Sequence, residues 1–222
     1  MAVNVERDPV TLVIEDDPMR APARIDRVAR PVAATADPAP LGLAALALST
    51  LVLSVFNAGL LNHSGFPVVL GIAVAYGGIA QLLAGMWEFR RGNTFGAMTF
   101  GSYAAFWLSY WALEQFFVKQ IPAGEVGAAT ALFFITWAIF SALLWVASVR
   151  TTAAVSVMLA LLTVTFLLLG IGEAGAHSEL IKIGGWFGIA TAAAGLYAAF
   201  AALINSTYER TLLPLRAPRH VR

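Results

Sequence analysis

Cysteine is absent from this chain of 222 residues, which removes disulfides, a thiolate nucleophile and cysteine metal ligation together. Charge is scarce as well. Asp, Glu, Lys and Arg make up 12% of the residues against 59% hydrophobic ones, and the mean hydropathy is +0.76; a soluble domain carries about 25% charged residues. The chain therefore reads as an all-α integral membrane protein. A net charge of +1 is too small to gather nucleic acid. Histidine is sparse: His63 and His177 fall in loops and His220 in the C-terminal tail, none with a second ligand at helical spacing, so no metal site is expected. There is no Walker-type loop, no Gly-x-Ser-x-Gly elbow and no paired intramembrane carboxylate. Neither an enzyme nor a cofactor has residues to rest on.

What is present is apolar length. Six segments close to the roughly 20 residues that cross a bilayer occupy residues 41–61, 67–88, 94–113, 126–149, 153–172 and 180–204. Turn-forming sequences join them: Asn62-His63-Ser64-Gly65, Arg90-Arg91-Gly92-Asn93, Ile121-Pro122-Ala123-Gly124 and Gly175-Ala176-His177-Ser178. Ahead of this six-helix domain (37–207), residues 1–36 mix arginines, acidic residues, prolines and alanines, and read as a disordered tail with a weak strand-like patch at 10–14 and no export signal of the usual layout. Residues 208–222 form a second tail.

Six spans leave both termini on one side. That side holds Arg7, Arg20, Arg24, Arg27, Arg30, Arg90, Arg91, Arg150, Arg210, Arg216, Arg219 and Arg222, against Lys119 and Lys182 opposite. The positive-inside rule puts both termini in the cytoplasm. The expected location is a bacterial inner (plasma) membrane.

Two prolines stand at the edge of the first apolar run, in Ala36-Asp37-Pro38-Ala39-Pro40-Leu41-Gly42-Leu43. With Asp37 as N-cap, Pro38 and Pro40 fall in the first turn, where no intrahelical N–H bond is lost. The motif fixes a helix start. At a pore mouth such a start also presents free N–H groups and a positive dipole to an anion.

Uncharged polar residues form stripes. On the first span Leu46, Thr50, Ser54 and Asn57 share one face; on the second, Gly77, Gln81, Gly85 and Glu88 do so; on the third, Tyr103 and Tyr110 stack seven apart. One such residue alone is commonly interhelical glue, but several stripes together point to a lined, partly hydrated path. Small residues are spaced for close helix contact at Gly71 and Ala75, at Ala80 and Ala84, and along Gly184, Gly188, Thr191, Gly195 and Ala199, within or between subunits.

Several of these stretches together resemble the acetate uptake (succinate–acetate permease) family. Asp37-Pro38-Ala39-Pro40-Leu41-Gly42-Leu43 is similar to its Asn-Pro-Ala-Pro-Leu-Gly-Leu signature. Tyr76-Gly77-Gly78-Ile79-Ala80-Gln81, Gly92-Asn93-Thr94-Phe95-Gly96, Ser102-Tyr103 and Phe106-Trp107 resemble its second and third helices, and Arg210-Thr211-Leu212-Leu213-Pro214 its C-terminal end. The resemblance covers residues 37–215 in unbroken order.

It implies a six-helix protomer in a homohexamer, with one solute path per protomer, carrying acetate and in some members succinate or other short carboxylates. By position, an apolar constriction falls on Leu46, Tyr103 and Leu162, and a position linked to substrate choice on Gly195. Two departures stand out. Asp37 replaces the family asparagine, adding a carboxylate that repels an anion at the mouth unless helix N–H groups or an arginine absorb its charge. Leu46 stands where the family often has phenylalanine, which with Gly195 implies a wider gate.

A carboxylate crossing an apolar constriction needs donors along the way, for which Thr50, Asn57, Gln81, Asn93, Thr94 and Tyr103 are the candidates. Glu88 and Glu173 are the titratable residues nearest the path and the candidates for proton coupling. A pore for a small neutral solute such as urea, or a non-conducting membrane scaffold, is the alternative reading.

Overall fold

The computed structural model describes residues 35–215. The strand-like patch, the five arginines of the N-terminal tail, and Arg216, Arg219, His220 and Arg222 lie outside the described residues. Helices account for nearly all the rest: α1 (Ala39–Asn57), α2 (Pro67–Ile72), α3 (Gln81–Arg91), α4 (Thr94–Ala112), α5 (Val126–Ser148), α6 (Ala153–Ala174) and α7 (Ser178–Thr207). No strand occurs among the described residues. The expected spans are recovered to within a few residues at each end.

The structure refines the sequence reading on three points. First, α2 and α3 belong to one rod, residues 67–91, whose middle, Ala73–Ala80, is wound as a π-helix. Each π turn takes in an extra residue, and such turns tend to mark functional positions. A second π turn, Leu113–Phe117, extends α4.

Second, five helices among the described residues are long and apolar enough to cross a membrane, and α4 is not one of them. Its sequence explains why: Thr94, Thr99, Ser102, Tyr103, Trp107, Ser109, Tyr110 and Trp111 dilute its aliphatic content. Yet Tyr103, Ala104, Phe106 and Trp107 are almost wholly buried. Thr99, Tyr103, Phe106, Trp107 and Tyr110 thus face protein, while Thr94 and Ser109 are exposed.

Third, the residue at the N-cap of α1 is Pro38, not Asp37. Asp37 still supplies the capping group, because its carboxylate accepts the Ala39 N–H at 3.1 Å. The first helical bond follows, from Gly42 N–H to the Pro38 carbonyl.

Packing is built from α1 against α7, α7 against α6, α6 against α5, and the second rod against α4. Small residues allow the close approaches. A Cβ on Gly195 would lie 2.9 Å from Ala47 Cβ and 3.0 Å from Met158 Sδ, and one on Gly85 would lie 2.8 Å from the Gly101 nitrogen. Gly71, by contrast, faces open space. The rod and α4 are joined by Gly92, whose φ of 74° is the left-handed conformation that ends helices with glycine.

The C-terminal segment folds back. Asn205 Oδ1 accepts the Leu212 and Leu213 N–H groups, its Nδ2 donates to the Leu213 carbonyl, and the Tyr197 hydroxyl donates to the Pro214 carbonyl.

Candidate functional site

The helical spacing on α1 is realised in the fold: Leu46, Thr50 and Ser54 are buried, and Asn57 is half-buried at its end. Leu46, Thr50 and Ser54 line a small cavity of about 10 Å³ together with Phe106, Trp107, Leu162, Thr165 and Phe166. That is room for about one water. Leu46 and Leu162, predicted as two walls of a constriction, thus meet across one cavity.

Tyr103, the third, is fully buried but turns toward α5. Its hydroxyl shares a 2.8 Å hydrogen bond with Ser141, and its ring packs on Trp137 and Phe140. Above it Phe106 touches Trp107, Tyr110, Phe133, Trp137 and Phe166, with ring centroids 5.0–6.0 Å apart. Edge-on and stacked aromatic contacts of this kind fix ring positions beyond what area burial does.

The second rod also presents its stripe inward. Gly77, Gln81, Gly85 and Glu88 are all buried. A Cβ on Gly77 would lie 2.6 Å from the Trp107 ring and 2.7 Å from Ser49 Oγ, so this glycine lets α1, the π segment and α4 meet. Around that crossing Ser49 Oγ, both amide atoms of Gln81 and Trp107 Nε1 are buried without a hydrogen-bond partner among the described residues. Unpaired buried polar groups cost free energy.

A larger cavity, about 320 Å³, lies at the end where α1, α4 and α6 begin. Its wall includes Asp37, Leu43, Glu88, Asn93, Thr99 and Leu215. Asn93 caps α4 by accepting the Gly96 N–H at 3.1 Å and donates to Glu88 Oε2 at 2.9 Å. Asp37 is ion-paired with Arg91. The charge that sequence reading feared at the mouth is therefore absorbed by an arginine and by a helix N–H, the two conditions set for it.

The two cavities are stacked on the same helices. Going up α1 they meet Ala39 and Leu43, then Leu46 and Thr50; on α4, Thr99 and Phe100, then Phe106; on α6, Val155, then Leu162 and Thr165. From Phe100 to Phe106 is about 9 Å along a helix axis. Tyr103 lies in that gap.

The other candidates stand apart. Thr94 is the exposed first residue of α4, Gly195 faces Ala47 and Met158 rather than either cavity, and Glu173 is half-buried near the far end of α6. Sequence reasoning missed Ser49, Thr99, Thr165 and Ser141. Thr165 was within reach, since it follows Leu162 by three positions on one helix face; Ser141 was not, because its partner Tyr103 is 38 positions away.

Comparison with known proteins accords with this architecture. The model of the GPR1/FUN34/yaaH family matches residues 24–216. Acetate permease A of Emericella nidulans is 37% identical over 195 residues, 81% of this chain and 65% of that protein. The succinate-acetate/proton symporter SatP of Escherichia coli K12 is 31% identical over 180 residues, 81% of this chain and 95% of that protein. Among solved structures, the bacterial acetate channel SatP superposes with a TM-score of 0.75 at 30% identity, covering 82% of this chain and 100% of that one. An apolar helical bundle with these relatives is an integral membrane protein, and the chain belongs to the GPR1/FUN34/yaaH family.

Proposed function

We propose that the protein is a transporter, not an enzyme, and carries acetate, with succinate or other short carboxylates as further substrates. The observation that carries this reading is the stack of two cavities on α1, α4 and α6 with Tyr103 between them. The names of the relatives, a permease, a symporter and a channel for acetate, support the substrate class.

In this reading Leu46, Tyr103 and Leu162 form the gate, closed in the conformation described. Thr50, Asn57, Gln81, Asn93 and Thr94 offer hydroxyl and amide groups to a carboxylate that has lost part of its water. Gly195 acts on substrate choice indirectly, by setting how closely α7 approaches Ala47 and Met158. Glu88 and Glu173 are the candidates for proton coupling. Both termini lie in the cytoplasm, the membrane is a bacterial plasma membrane, and protomers assemble as a homohexamer with one path each, as the motif resemblance implies. The tails, 1–36 and 208–222, flank the transport domain, 37–207.

The test is uptake of labelled acetate into liposomes containing the purified protein, with and without an inward proton gradient. Empty vesicles and Tyr103→Ala serve as controls. Gradient-driven accumulation above equilibrium is the expected result for a coupled carrier, and simple equilibration for a channel. Uptake no greater than in empty vesicles refutes the reading and returns a neutral-solute pore or a scaffold.

A further inference from the structure

We infer that Ser141, on α5, is a positioning residue of the gate: its hydroxyl holds the Tyr103 ring clear of the gap between the two cavities, and so keeps the path open to longer carboxylates. This rests on the carboxylate-transport reading and gives a role to a residue that lies outside the path.

Helical spacing puts Tyr103 on the lining face of α4. Thr99, Phe100, Phe106 and Trp107, three or four positions away on either side, each line one cavity or the other. Tyr103 lines neither, and neither does any described residue of α5. Its ring lies instead against Trp137 and Phe140, with centroids 6.2 and 5.8 Å away, and its hydroxyl meets Ser141 Oγ at 2.8 Å. The side chain thus starts from the lining face, and α5 draws it aside.

Ser141 is set apart from the other hydroxyls of the bundle. Thr136 and Ser148 on the same helix, and Thr163, Thr165 and Thr191 on α6 and α7, all donate to a backbone carbonyl three or four positions earlier, which is how a helix commonly accommodates such a group. Ser141 makes no such bond among the described residues; its partner is Tyr103. Both residues are 0% exposed, and the rings of Trp137 and Phe140 offer no strong acceptor, so without Ser141 the phenol would be buried unpaired. A helical tyrosine has essentially two χ1 wells, since the third clashes with the preceding turn. Losing the bond removes the preference for the well that points at α5 and frees the ring to turn back over the gap.

Ring bulk in that gap acts on long solutes first. The gap covers about 9 Å of helix axis, and the narrow cavity beyond it holds about 10 Å³. Acetate crosses as a compact unit. Succinate is longer, carries a carboxylate at each end, and needs more of the gap clear at once.

The experiment measures initial uptake of labelled acetate and labelled succinate into liposomes holding the full-length protein, as wild type, Ser141→Ala, Tyr103→Phe and the double variant. The readout is the ratio of succinate to acetate uptake, because a merely structural loss lowers both rates together and leaves the ratio alone. Ser141→Ala should lower it several-fold, Tyr103→Phe should lower it as much, and the double variant should lie no lower than either single one. Tyr103→Phe keeps the assignment open to refutation if Ser141→Ala does not fold. An unchanged ratio in either single variant, falls that multiply in the double variant, or a wild type that carries acetate but no succinate overturns the assignment and leaves the transport reading standing. If the wild type carries neither solute, the transport reading falls and the role of Ser141 with it.

Discussion

Asp37 and Arg91 are ion-paired across 54 positions of sequence, and the same aspartate caps the first N–H of α1. The pair ties the start of α1 to the end of the second rod, at the rim of the larger cavity. Both side chains are partly exposed, so the pair contributes at most about 1 kcal/mol to stability. Its effect should be on the anion. Arg91→Gln should slow acetate uptake several-fold by leaving Asp37 uncompensated, and adding Asp37→Asn should restore the rate. A double variant as slow as the single one would show that the aspartate charge is not what hinders entry.

Tyr103 and Ser141 share a wholly buried hydrogen bond. Tyr103→Phe leaves the serine hydroxyl unpaired, at a cost of about 1–2 kcal/mol. The expected outcome is a lower melting temperature that Ser141→Ala, made in the same chain, does not lower by its full single-variant amount. Strict additivity would mean that the two hydroxyls are not coupled.

Leu46 is buried and lines the narrow cavity. Leu46→Ala should cost about 2–5 kcal/mol of stability, the range for buried leucines, while raising succinate uptake relative to acetate. Leu46→Phe should shift that ratio the other way. A ratio unchanged in both variants would remove Leu46 from the gate.

Asn205 makes three hydrogen bonds to the backbone of Leu212 and Leu213. In hydrogen exchange the amides of these two residues should be protected in the wild type and exchange rapidly in Asn205→Ala, with α7 unchanged. Equal exchange in the two proteins would show that the clasp does not persist in solution.

The spans were legible because hydropathy and turn residues report directly on bilayer crossing and chain reversal. The one that failed the composition test, α4, was still located from Gly92-Asn93 at its start and the tyrosine stack at 103 and 110. Inward faces were legible too, as Leu46, Thr50, Gln81 and Glu88 follow from helical spacing. The π turns were not, since Ala73–Ala80 has an ordinary apolar sequence. Nor was the pairing of Tyr103 with Ser141, or the meeting of three helix starts at one cavity. Those depend on which helices are neighbours, which a single sequence does not carry.

The returning C-terminal segment has a practical consequence. Leu215 is part of the wall of the larger cavity, so whatever is joined directly after it leaves from the rim of that cavity. A reporter domain fused there through a linker of three or four residues would be held within about 14 Å of the opening. Its bulk would then obstruct the mouth, whereas a linker several times longer would let it swing clear. Linker length thus becomes a ruler for how near Leu215 lies to that opening.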